Sequence, residues 1–103
     1  MAKSGSESII TGVHASTAEI TSDEFKAGRD ARQVSFHAYS ATGGTLAIDK
    51  KIGGTYRQYD TPVSVAADTL ENVIVLTPAS LMRARFTPSS ATSGHTVVHC
   101  EES

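Results

Sequence analysis

Apolar and polar side chains alternate through residues 33–40. Val34, Phe36 and Ala38 fall on one face; Gln33, Ser35, His37 and Tyr39 fall on the other. Successive side chains of a strand point to opposite faces of a sheet, so this period of two predicts a half-buried β-strand. A second run over 45–52 keeps the pattern, with Leu46, Ile48 and Lys50 opposed to Thr45, Ala47 and Asp49. Gly43 and Gly44 separate the two runs, and Gly53 and Gly54 lead into an aromatic return, Thr55-Tyr56-Arg57-Gln58-Tyr59. Glycine supplies the positive φ that tight turns require, so both breaks predict turns between antiparallel strands.

Shorter signals flank this centre. Ile9, Ile10 and Val13 form an apolar patch interrupted by Gly12, which suits an edge strand or an arm packed on a neighbour. A strand is expected over 18–22. The charged connection that follows is anchored by Phe25, and Ser22 and Asp23 could cap one helical turn over 23–27. Residues 61–66 read as a strand whose Pro62 belongs at its start or on a sheet edge. Residues 67–72 read as a loop and 73–77 as an apolar strand. Residues 81–87 set Met82, Ala84 and Phe86 against Arg83 and Arg85, and residues 95–101 set Thr96, Val98 and Cys100 against His95, Val97 and His99. Such spacing predicts an all-β protein: a single antiparallel β-sandwich or flattened barrel of about 7–8 short strands. The expected core is Val34, Phe36, Leu46, Ile48, Val63, Val65, Met82, Phe86 and Val98. The expected division is a flexible N-terminal arm over 1–13 and one sandwich domain over 14–103.

Composition supports this class. Ser and Thr together make 25 of 103 residues, which favours strands joined by turns. A net charge of −2 and pI near 6.0 offer no basic footprint for nucleic acid or an anionic membrane. Cys100 is the one cysteine, so no disulfide closes within the chain. No apolar run follows Lys3 as in a secretory signal, and none approaches the ~20 residues that span a bilayer. The expectation is a protein made in a cytoplasm.

Candidate chemistry is sparse. His95 and His99 would lie about 13 Å apart along a strand, too far to share a metal, though His37 and Asp49 could approach one of them across strands. Cys100 and His99 are strand neighbours and point apart, so they make no catalytic pair. The glycine pairs lack the Lys-Ser/Thr of a phosphate loop. No catalytic residue, cofactor or metal site is expected. Arg83 and Arg85 form a basic stripe that could grip a carboxylate or phosphate, or be salted against the acids of a neighbour. Tyr39, Tyr56 and Tyr59 could stack on sugar rings or pack across strands.

Gly44-Thr45-Leu46-Ala47-Ile48, the polar pair Asp49-Lys50, Gly53-Gly54-Thr55-Tyr56 and Tyr59-Asp60-Thr61-Pro62-Val63 together resemble the small β-sandwich proteins of tailed-phage virions. Arg83-Ala84-Arg85-Phe86-Thr87 and Gly94-His95-Thr96-Val97-Val98 resemble their closing strands. The resemblance implies a non-enzymatic virion protein: a head decoration, head–tail joining or tail-associated subunit. Its partners would be other virion proteins and copies of itself. Ile9, Ile10, Val13, Arg83 and Arg85 are the candidate partner-binding residues. The competing reading is a carbohydrate- or receptor-binding module that uses the tyrosines.

Overall fold

The alternating runs become strands whose apolar sides meet between two sheets. The computed structural model describes residues 3–76 and 78–103. The strands are β1 (Lys3–Ser4), β2 (Ser6–His14), β3 (Ile20–Thr21), β4 (Phe25–Lys26), β5 (Val34–Ser40), β6 (Gly44–Ile52), β7 (Thr55–Val65), β8 (Thr69–Val75), β9 (Leu81–Pro88) and β10 (Gly94–Glu102). β1, β3 and β4 are two-residue bridges, so seven long strands carry the fold, as the spacing predicts. The larger sheet runs β1-β4-β9-β6-β7 with β3 also on β9, and the smaller runs β2-β10-β5-β8. Pairing is antiparallel except between β1 and β4. The fold is an all-β sandwich.

Val34, Phe36, Val98 and Cys100 from the smaller sheet meet Leu46, Ile48, Met82 and Phe86 from the larger, with Phe25 closing one side. Eight of the nine expected core residues lie in this cluster. Val63 does not, and is half-buried. β7 bulges just before it: the register passes from Ile48–Tyr59 to Leu46–Val63, so Ala47 alone faces residues 60–62. Asp60 takes a φ of 59° there, and Pro62 sits on an edge strand where its missing N–H is harmless.

Four expectations change. The break at Gly43 and Gly44 is not a hairpin, because β5 and β6 belong to different sheets and the chain crosses between them. Gly44 is required by close approach: a Cβ there would meet the Phe86 ring at 2.5 Å. Gly53 and Gly54 do form a two-residue hairpin turn, with φ of 61° and 83°, between the paired Ile52 and Thr55. Residues 23–27 hold β4 rather than a helical turn, because Phe25 enters the core completely. Part of the expected loop over 67–72 is strand, since β8 begins at Thr69 and pairs with β5 along its whole length.

The fourth concerns the expected arm over 1–13. From Ser6 onward it is the edge strand β2, hydrogen-bonded to β10. Ile9 and Ile10 are adjacent yet both buried, and the register shift opposite Val98 and His99 lets a strand turn two neighbours towards the core.

Two outcomes follow for stability. Phe36→Ala removes a fully buried ring and is expected to cost about 3–5 kcal/mol in urea unfolding, a large share of the ~5–15 kcal/mol typical of a domain. Deleting residues 1–13 removes almost all of β2 and uncovers β10. We expect this truncation to lose its cooperative unfolding transition, as followed by circular dichroism.

Candidate docking surfaces

The outward-facing half of each alternating run sets the two broad faces of the sandwich, and these differ in chemistry. On the larger sheet the outward residues are Asp49 and Lys51 of β6, Tyr56 and Gln58 of β7, and Arg83 and Arg85 of β9, placed side by side by the register. Asp49 points outward yet is 2% exposed, because the two arginines cover it. Arg85 forks onto the carboxylate, donating from Nε at 2.8 Å and from Nη2 at 2.9 Å, while Arg83 donates from Nε at 2.8 Å. Arg85 also reaches Glu19 and Gln58 at 3.2 and 3.0 Å. The Arg83 guanidinium lies 4.2 Å from the Tyr56 ring centre, and the Tyr56 hydroxyl donates to Glu24 at 2.5 Å.

The titration of this face follows from those contacts. Burial alone would raise the Asp49 carboxyl, but hydrogen bonds from Arg85 and Arg83 overcome it and hold the group below the usual carboxylate range. Burial and then the bond to Glu24 push the Tyr56 hydroxyl up, and the same bond is the first cause holding Glu24 down. The face is charged but internally compensated. Of the two readings of the stripe, the salted one describes this face: Arg83 and Arg85 are paired with this chain's own Asp49, and Arg85 is engaged at all three of its nitrogens.

The smaller sheet presents a different surface. Its outward residues run in cross-strand rows: Thr11, Val97, Tyr39 and Leu70 in one, Ser8, His99, His37 and Asn72 in the next. The His37 and His99 rings lie 6.4 Å apart. His37 Nδ1 donates to the side-chain Oδ1 of Asn72 at 2.6 Å, and the His99 nitrogens meet the hydroxyls of Ser6 and Ser8 at 2.9 and 3.1 Å. Asp49 belongs to the other sheet, so it does not join these histidines. Cys100 faces the core behind His99, and burial pushes its thiol up.

Among the described residues, five large hydrophobics are exposed; three belong to this sheet, Val13 on β2 and Leu70 and Ile74 on β8, and a fourth, Leu76, directly follows β8. Of the candidate partner-binding residues, only Val13 lies here in the open, at 72% exposed; Ile9 and Ile10 are core, and Arg83 and Arg85 are on the opposite face. The sequence reading missed Leu70, Ile74 and Leu76 because it divided them between a loop and an unsided apolar run. Their i, i+2 spacing with Asn72, against inward Val73 and Val75, was the available signal. The tyrosines do not share a platform. Tyr39 faces out from the smaller sheet, Tyr56 faces out from the larger, and Tyr59 packs against the core.

No family model and no curated protein sequence matches this chain. The fold is similar to that of a solved structure, the PBSX exported protein XepA, with a TM-score of 0.75 and 19% sequence identity. The similarity covers 94% of this chain and 36% of that one, so this chain spans about a third of the other's length. At that identity the likeness is one of fold.

The Asp49 cluster yields a pH prediction. Its folded pKa lies below the unfolded value of about 4, so the stability it contributes is present above that value and is lost as pH falls through the folded pKa. Asp49→Asn is expected to lower stability at pH 7 by about 2–4 kcal/mol and to flatten the acid limb of a plot of urea midpoint against pH. An unchanged acid limb would show that the carboxylate contributes nothing there.

Proposed function

We propose that this protein is a non-enzymatic structural subunit of a phage particle, which associates with copies of itself and docks on a larger protein assembly. The observation that carries the reading is that the smaller sheet leaves aliphatic side chains exposed on the outer side of both its edge strands, Val13 on β2 and Leu70 and Ile74 on β8, opposite a face whose charges are already paired within the chain. Uncovered apolar area on one side of a small sandwich suits a surface that a protein partner covers. The similarity of fold to an exported protein of phage PBSX supports a phage setting. The small share of that chain which is matched suits a sandwich that works beside other protein modules. Docking runs through Val13, Val97, Tyr39 and Leu70 in this reading, not through the arginines.

Density-gradient sedimentation of particles from a producing lysate, followed by mass spectrometry of the particle band, tests it. The protein is expected in that band at a fixed ratio to the major particle proteins. Recovery only from the soluble fraction at the top of the gradient would overturn the reading.

A further inference from the structure

The four sheet edges are not equally protected. β1 is two residues long, and β7 is interrupted by its bulge and Pro62. β2 carries a register shift against β10. β8 has none of these devices: it is seven residues long, contains no Pro, Gly, Lys or Arg, and pairs with β5 without a register shift. Its one hydrogen-bonded neighbour among the described residues is β5. Native proteins blunt such edges because their unpaired backbone groups template another strand.

The order of residues along β8 names the occupant. About Asn72 the strand reads nearly the same in both directions: Leu70 and Ile74 flank it two steps out, with Glu71 and Val73 between. We propose that β8 pairs antiparallel with β8 of a second copy of this chain, centred on Asn72, so that the two smaller sheets become one continuous sheet. The proposal rests on the self-association in the reading above. In this register Leu70 stands opposite Ile74 of the second copy, and the two Asn72 amides stand opposite each other. Glu71 faces Val73 rather than another carboxylate. Centring one residue earlier would set Glu71 against Glu71, a like-charge pair that destabilises. Centring one later would set Asn72 against Ile74. Leu70 and Ile74 are 61% and 50% exposed, so the pairing covers aliphatic area that the single chain leaves to water. Edge pairing alone makes an interface at the small end of the specific range, which suits a reversible dimer with a dissociation constant on the order of 10 μM.

Cysteine cross-linking reads the register directly. Residues opposite one another in an antiparallel pair have Cα atoms about 4.5–5.5 Å apart, within disulfide reach, and the native Cys100 is fully buried. Asn72→Cys is expected to give a covalent dimer in high yield on mild oxidation. Glu71→Cys and Ile74→Cys, displaced from their own copies along the strand, are expected to give little. In analytical ultracentrifugation, Leu70→Lys is expected to weaken the dimer at least tenfold. Adding Ile74→Glu should restore it, because the new ammonium then faces the new carboxylate of the second copy, while within one chain the two lie about 13 Å apart. Circular dichroism of each variant checks that the substitutions leave the fold intact. Equal cross-linking at all three positions, a dimer indifferent to Leu70→Lys, or a wild type monomeric at about 100 μM would each overturn the proposal. An oligomer that persists with Leu70→Lys would place self-association on another surface and leave the proposed function standing.

Discussion

One core shared by two sheets is the constraint from which the rest of the structure follows. The chain alternates between the sheets along most of its length, and among the described residues the one hairpin between sequence neighbours in the same sheet is β6–β7. Phe36 and Phe86, both fully buried, reach the common interior from opposite sides. Each crossing must therefore be tight enough to keep both flanking strands on the core. Gly44 shows the effect, because the Phe86 ring lies where its side chain would be. The bulge in β7 and the register shift between β2 and β10 are the local adjustments that reconcile strand spacing with a single filled interior.

The same constraint explains the contrast between the faces. A strand that commits one side to the core has the other left over, and the larger sheet closes its leftover side with Asp49, Arg83 and Arg85. That cluster links the two central strands β6 and β9 through side chains as well as backbone. Removing Asp49 leaves the Arg83 Nε without its carboxylate and Arg85 with only Glu19 and Gln58, which is why such a group is costly to break even where its net contribution is small. Among the described residues the smaller sheet shows no comparable closure. Its outward rows mix hydroxyls, imidazoles and aliphatic groups, and they leave the two edges of that sheet as its most apolar regions.

Sidedness was legible in the sequence, and partnership was not. The alternation in residues 33–40, 45–52, 81–87 and 95–101 assigned inward and outward residues correctly, because a period of two is a property of one strand alone. Which strand pairs with which depends on residues far apart in the chain, and Gly43-Gly44 looks locally much like Gly53-Gly54. Only the second pair closes a hairpin. Arg83 and Arg85 were recognised as outward-facing, but their partner Asp49 lies more than thirty residues away and was considered only as a histidine companion. Ile9 and Ile10 break the period of two, so the short patch read as an arm. A bulge hides alternation whose inward members are nevertheless buried.

The pairing of β2 with β10 also governs when the smaller sheet can exist. β10 lies between β2 and β5, so residues 6–14 have no neighbour in that sheet until residues 94–102 have been synthesised. Closing so long a loop before any reward from pairing makes for slow, topology-limited folding. On a ribosome, Ile9 and Ile10 emerge early and wait exposed, a period in which a nascent chain depends on holdase chaperones or on its own dilution to avoid misassembly.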